Sequence, residues 1–386
     1  MTEIQNINEI LSEIDSDSKD QDTEQLPALE DKYSVQMRQI VTQKIELPIS
    51  TLPVMLEPKK GQIDLSPDFQ RRSIWDIERR SRFIESIIMN IPIPPVFLGE
   101  VDYGTYAVLD GRQRLTAIYE FLRNNFKLRN LRVWSELNDK SFADLQDDGL
   151  DKYFTRRFVP AVVVLKESSP QVKYDVFDRL NTGGVVALPM EIRNAVFPGK
   201  FNKTLHDLSI NADFLKLWQI PATGSARGAD PVFNRMFDLE LVLRFFAVPA
   251  YQGGLKFKDF LSDFMASRNQ SYESDPVIQQ HDRQRFEVSC KNTLAVFGTD
   301  AFQRPIAGGG RKKNKSAPLA DAIMNALADV LPAKLTPDII LNLRHNLDNL
   351  CLTPEFARVT TAGTNGKGAI ETRLRLAKEI VMSTIA

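Results

Sequence analysis

The sequence predicts a two-part α+β chain, with an α/β domain over residues 35–200 and an all-α domain over 201–386. Three observations carry this. Up to about residue 200, short β-type runs alternate with stretches of helical period. Beyond 200 the β-type runs fade and segments of helical period follow one another. Residues 1–34 are acidic and almost free of aromatics, so they read as a disordered or loosely helical tail. A length of 386 residues fits two domains better than one.

The elements follow in order. VTQKIELPISTLPVML reads as a short strand and a turn. Asp76 is placed to cap a helix in which Phe83, Ile84, Ile87 and Ile88 recur at helical spacing and which ends before Pro92. Val96, Phe97 and Leu98 form a strand approached through prolines, and TYAVLD is its hairpin partner across a turn at Gly104. DGRQRLTAIYEFLRNN then switches to helical period, with Leu115, Ile118, Tyr119 and Leu122 on one face. FVPAVVVLKE is a buried strand. SSPQVKYDVFDRLNTGG is a helix with Ser169 as cap, Pro170 in its first turn and Gly183–Gly184 as its stop. PMEIRNAVF is a short helix ending at Pro198–Gly199. In the second half GADPVFNRMFDLELVLRFFAV reads as one helix opened by Asp230–Pro231, and five further helices follow, interrupted by the glycine-rich basic loop AGGGRKKNKSA.

Hydrophobic content of 43% and charged content of 26% are those of a globular chain with a sizeable core. Two cysteines without metal-ligand spacing, and three scattered histidines (His206, His281, His345), argue against a disulfide scaffold and against histidine-centred chemistry. The N-terminus lacks a basic start and apolar run, and the longest apolar run is too short for a bilayer, so a cytoplasmic location is expected. Net charge is −1, but residues 1–31 hold ten acids and one lysine. The remaining residues, with 48 basic and 40 acidic side chains, carry about +8. A mildly basic body behind an acidic tail permits a polyanionic partner without requiring one.

The segment YAVLDGRQRLTAI (106–118) is the most informative. Asp110 ends a strand and stands where a helix cap belongs, and Gly111 lets backbone amides approach another molecule closely. A helix start carries unpaired N–H groups and partial positive charge. Arg112 and Arg114 in its first turn oppose that dipole, at about a few tenths of a kcal/mol each. Either the arginines are paired or solvated on a capped helix, or a bound anion removes the conflict, as at phosphate sites.

DGRQRLTAI closely resembles the DGQQR motif of the family found as the N-terminal half of GmrSD-type restriction enzymes, itself related to the ParB/sulfiredoxin-like fold. PDFQRRSIWDIERRSRFIESIIMNIPIPPVFL, FDRLNTGGVVALPMEIRNAVFPGKF and FGTDAFQR are similar to further blocks of that family, in the same order, so the resemblance spans most of 41–386. It implies a ParB-like nucleotide-binding domain, with Gly111 and Arg114 at the positions that cradle NTP phosphates. It also implies a component of phage defence or restriction acting on foreign or modified DNA. Arg112 stands where the family pattern has glutamine. The family's C-terminal His-Me nuclease is not expected here, because no histidine sits in a matching setting, so cutting would need this domain or a separate effector or nuclease protein.

On this resemblance Asp110, Arg114 and Glu191 are the candidate catalytic residues. Gln70, Arg71, Gly111, Arg112, Gln113, Arg114, Asn181 and Gly184 are candidates for nucleotide binding. Asp110, Asn181 and Glu191 are candidate oxygen ligands for Mg2+. The bland readings stand beside these. Arg71 can pair with Glu78 or Glu85, Asn181 and Gly183–Gly184 can simply cap a helix, Glu191 favours a helix start anyway, and Arg193 is left either facing the nucleotide or exposed. Arg304, Arg311, Lys312, Lys313 and Lys315 suit a nucleic-acid backbone or a solvated insertion. AGTNGKGA (362–369) lacks the Ser or Thr of a P-loop and reads as a loop before the last helix. Hydrolysis of the NTP, DNA cleavage in the same domain, and a non-catalytic nucleotide-gated switch remain three readings, and a homo-oligomer is left open.

Overall fold

The computed structural model describes residues 41–58, 60–65, 75–168, 174, 176 and 188–386. The expected tail, Gln70, Arg71, Asn181, Gly183 and Gly184 lie outside the described residues, as does most of the helix expected from Ser169. The described residues fall into two compact units, one reaching Val196 and one beginning at Phe197. No helix among them is long and apolar enough to cross a membrane.

The first unit is built on five strands: β1 (Thr42–Pro48), β2 (Ile63–Asp64), β3 (Val96–Asp102), β4 (Thr105–Asp110) and β5 (Phe158–Val164). Their order across the sheet is β1-β5-β3-β4-β2. β1–β5 and β3–β4 are antiparallel, whereas β3–β5 and β2–β4 are parallel, so the sheet is mixed. In β5, Val159, Ala161 and Val163 are buried while Phe158 is half exposed, the period-two alternation of a strand with one covered face. The β3–β4 hairpin turns at Gly104, where φ is +73°, and the Glu100 carboxylate accepts the Gly104 N–H at 3.1 Å.

Helix α1 (Ile77–Ile88) is capped as expected: the Asp76 carboxylate accepts the Arg79 N–H at 2.7 Å. Ile84, Ile87 and Ile88 enter the core with Val96, Leu98, Val108 and Val163. Helix α2 (Arg112–Leu122) buries Leu115, Ile118 and Phe121 completely, and Tyr119 and Leu122 only partly. The buried stripe is therefore centred on Phe121 rather than on Leu122. Its ring meets Phe142 and Phe154 edge-on at 5.9 and 5.6 Å, contacts that no local pattern announces. Helix α3 (Pro189–Val196) closes this unit.

The second unit is mainly helical, with α4 (Lys200–Ser209), α5 (Phe237–Ala247), α6 (Phe257–Ser274), α7 (Pro276–Phe297), α8 (Ala317–Leu327), α9 (Pro337–Leu352) and α10 (Lys367–Ile385) as its longer helices. Every residue of α5 and of α8 is buried, the charged Asp238, Glu240, Arg244 and Asp321 included. Two features differ from the sequence reading. The helix opened by Asp230–Pro231 stops after Asn234, and α5 restarts at Phe237 after Met236 takes φ +54°. Burial of both Met236 and Phe237 redirects the chain there against its local helical preference. The basic loop is also not a loop throughout. Gln303–Pro305 and Arg311–Lys315 pair as the antiparallel strands β6 and β7, and Gly308, Gly309 and Gly310 all carry positive φ in the turn.

Asp238, in the first turn of α5, is buried, and burial pushes its carboxyl up to about 7 against hydrogen bonds from the backbone and Ser209 and the charge of Arg227. A carboxyl raised in the folded state holds its proton while the unfolded chain has lost it. Stability therefore falls as pH rises from about 4 to about 7 and then levels off. Asp238→Asn is expected to be near neutral at pH 4 and to raise the melting temperature at pH 8. Thermal melts of both proteins across this range check the sign, and an unchanged difference between pH 4 and pH 8 contradicts it.

Candidate functional site: the Gly111 turn and the start of helix α2

The site sits where β4 runs into α2. Asp110 is the last residue of β4 and Gly111 is the helix N-cap, with φ +92° and no side-chain cap hydrogen bond. Asp110 is thus not the capping residue expected from the sequence. Its Oδ2 instead accepts from Nη2 of Arg114 at 2.5 Å, one helical turn on, and its Oδ1 has no partner among the described residues. Nη1 of Arg114 donates to the carbonyl oxygens of Pro94 at 2.5 Å and Pro95 at 3.2 Å. The Arg114 side chain is only 12% exposed. One guanidinium so clamps the proline approach to β3 onto the end of β4.

Gly111 is dictated by packing as well as by φ. A Cβ there would lie 2.5 Å from Cγ1 of Val96 on β3 and 3.1 Å from Nη2 of Arg114. The carboxamide oxygen of Gln113 accepts the backbone N–H of Trp75 at 3.0 Å. Gln113 thereby ties α2 to the end of the chain segment that carries Gln70 and Arg71. The Trp75 ring lies edge-on to Phe83 at 5.6 Å and under the Arg79 guanidinium at 4.7 Å.

Arg112 is the other arginine of the turn. It is half-buried, and burial pulls its guanidinium below the usual arginine range, partly offset by the Asp64 carboxylate on β2. Asp110 pairs with Arg114 in the first turn of α2.

Glu191 and Arg193 lie on α3, which packs against β4. Glu191 is buried, and its Oε2 accepts the Leu188 N–H at 2.6 Å, a first-turn helix contact. Arg193 is not exposed: at 1% it is buried, with its guanidinium 5.9 Å from the Tyr174 ring. Among the described residues no group of three or more His, Cys, Asp or Glu side chains is placed to hold a metal ion.

In the second unit the basic candidates separate. Arg311 binds the Asp348 carboxylate at 2.5 Å and the Gln303 carbonyl at 2.7 Å. Lys315 is buried, with Nζ donating to the carbonyls of Leu217, Thr299 and Ala301 at 2.5, 2.8 and 3.3 Å, and burial pulls its amine down to about 8. Lys312 and Lys313 are exposed on β7. The AGTNGKGA segment turns inward: Thr364 and Asn365 are buried, and Arg373 and Arg244 donate to the Thr364 carbonyl and the Asn365 carboxamide. That fits a loop before the last helix, since Gly366 is the N-cap of α10.

The sequence reading missed the carbonyls of Pro94 and Pro95, the contact of Val96 with Gly111, and Asp64. The proline run was a usable signal. Prolines lack N–H groups, so successive prolines offer carbonyls that an outside donor must satisfy.

A mixed sheet whose central hairpin feeds a glycine-capped helix, braced by an aspartate–arginine clip, defines the first unit as an α/β domain with an arginine-rich helix start. Residues 54–198 match the model of the GmrSD restriction endonuclease, N-terminal domain. No curated protein and no solved structure matches the chain.

Proposed function

We propose that the domain over 54–198 binds a nucleoside triphosphate at the Gly111 turn and hydrolyses it as part of a restriction or phage-defence system acting on foreign or modified DNA. The family match over 54–198 supports a role in restriction. The carrying observation is Arg112, a partly desolvated cation in the first turn of α2, where both side-chain charge and backbone N–H groups favour phosphate. A guanidinium matches phosphate oxygens in a fixed fork. Such groups, fixed in advance, stabilise the charge that spreads over phosphate oxygens during transfer. Lys312 and Lys313 suit contact with a nucleic-acid backbone.

The carboxylates present fit Mg2+ arriving with the nucleotide better than a resident ion. Oδ2 of Asp110 and Oε2 of Glu191 are already engaged within the domain. Such an ion keeps phosphate oxygens and waters as most of its ligands, and Oδ1 of Asp110 would complete its shell. When bound it would neutralise phosphate charge. Asp110 through Oδ1 is suited to orient a water. The same engagement of both carboxylates favours slow turnover, so a nucleotide-gated switch acting through a separate effector is the second reading.

Calorimetric titration with non-hydrolysable ATP and GTP analogues plus Mg2+, beside phosphate-release assays, tests this. Binding with turnover supports the hydrolase, and tight binding with negligible turnover selects the switch. If the chain neither binds nor hydrolyses any NTP, the reading is wrong.

A further inference from the structure

We propose that the second unit holds a binding site for a small organic anion, a carboxylate or phosphate carried on a flat apolar body, in the cavity between α5, α6 and α7. The site lies wholly within the second unit and is independent of the nucleotide-binding reading of the Gly111 turn.

The cavity holds about 470 Å³, within the range of small-molecule sites. Phe246 of α5, Pro249 just after it, and Val277 and Ile278 of α7 give it apolar walls. Its polar groups are Arg268 of α6 and His281, Asp282 and Arg285 of α7. Ile278, His281, Asp282 and Arg285 follow one another at the spacing of a single helix face. The polar groups are set in place without a ligand. Asp282 is buried and accepts from Nε and Nη2 of Arg268, each at 3.0 Å. Its Oδ2 also accepts the Tyr272 hydroxyl at 2.8 Å. Arg285 is held in the same manner: Nε donates to Asp329 at 3.1 Å and Nη2 to Asn325 at 3.3 Å, with the guanidinium 5.0 Å from the Phe245 ring. Both arginines are thus fixed through Nε and Nη2, and Nη1 of each has no hydrogen-bond partner among the described residues. Fixed guanidiniums with a donor to spare match the oxygens of a carboxylate or phosphate. A ligand that meets groups already ordered also loses less entropy on binding. The one carboxylate of the lining is spent on Arg268 and Tyr272 and does not answer the charge of Arg285. The Asp329 partner of Arg285 is 62% exposed, where an ion pair is weak. The walls specify the rest of the ligand. Val277 is 69% exposed, and an apolar ring lying against it and Phe246 would take that surface out of water.

The test is calorimetric titration of the full chain, at fixed ionic strength, with two charged probes and their neutral counterparts: naphthoate beside naphthamide, and adenosine monophosphate beside adenosine. At least one charged probe is expected to bind with a Kd below about 1 mM. Its neutral counterpart is expected to bind about tenfold more weakly or worse, because the charge-assisted bonds are gone. Which charged probe binds separates a carboxylate ligand from a phosphate. Val277→Glu puts a negative charge at the mouth, in the first turn of α7 where the helix tolerates an acid. It is expected to keep the urea midpoint and to weaken binding by about tenfold or more through repulsion. Arg285→Gln is expected to weaken binding about tenfold. Arg375→Gln, on an exposed side chain of α10 outside the cavity, is expected to leave it unchanged. If Arg285→Gln unsettles the fold, Val277→Glu decides. The proposal is overturned if neither charged probe binds, if a neutral probe binds as well as its charged counterpart, or if Val277→Glu leaves the affinity unchanged. That last result would also place any bound adenosine monophosphate outside this cavity. A chain that binds no nucleoside triphosphate at the Gly111 turn leaves the naphthoate arm of this test intact.

Discussion

Gly111→Ala is expected to lower the stability of the first unit by about 2–5 kcal/mol. Two terms add. An L-residue held at φ +92° bears about 1–2 kcal/mol of backbone strain. A methyl 2.5 Å from Cγ1 of Val96 must also displace the β3 side chain, and overpacking of this kind costs about 1–3 kcal/mol. The loss should concentrate at the β4–α2 junction, so hydrogen exchange of the α2 amides is the sharpest readout, with the urea midpoint beside it. The two terms can be separated. Val96→Ala in the Gly111→Ala background removes the steric contact and leaves the backbone strain, so it should restore part of the loss. If the double variant is no more stable than Gly111→Ala, Val96 is not what the glycine makes room for. Nucleotide binding should fall with the same substitution, because the amides of α2 take their direction from this turn.

The strand, turn and helix around Gly111 were legible because each is a local matter. TYAVLD alternates, glycine supplies the positive φ, and Leu115 and Ile118 repeat at helical spacing. The clip was not legible, since Arg114 finds Pro94 and Pro95 some twenty residues upstream. A chain position shows that an arginine conflicts with a helix dipole, but not which distant oxygen resolves the conflict. The same limit explains the basic segment. It read as a loop throughout, yet its flanks pair as strands, and Arg311 and Lys315 bond inward to Asp348 and to three carbonyls. Charge alone made them look like surface residues. Arg193 misled in the same way, being charged but buried beside Tyr174. The helical unit was legible in kind, because its long apolar segments have helical period, whereas the break at Met236 was not. A methionine at φ +54° has no propensity behind it and is held by burial.

Asp321→Ala is expected to cost the second unit about 4 kcal/mol or more, and to cost more than Arg373→Met. Asp321 on α8 lies between two buried arginines. Arg244 from α5 donates Nε at 3.2 Å and Nη2 at 2.5 Å, and Arg373 from α10 donates Nη2 at 2.8 Å. All three side chains are 4% exposed or less. Burial pulls Arg373 down to about 10, against the attraction of Asp321, so its guanidinium stays charged at neutral pH. Removing one partner of a buried ion pair costs about 3–5 kcal/mol, because the other charge is left without compensation. Removing Asp321 deprives two charges at once. Arg373→Met instead leaves Arg244 and Asp321 as a matched pair, and loses only the donor to the Thr364 carbonyl and the packing of the side chain. That variant should therefore be the milder one in stability, yet it should loosen the loop around Thr364 and Asn365, seen as faster amide exchange there. Urea unfolding followed through Trp218, which is buried in this unit, ranks the two. If Arg373→Met proves the more damaging, the second guanidinium holds the loop and α10 more strongly than the shared carboxylate neutralises the pair.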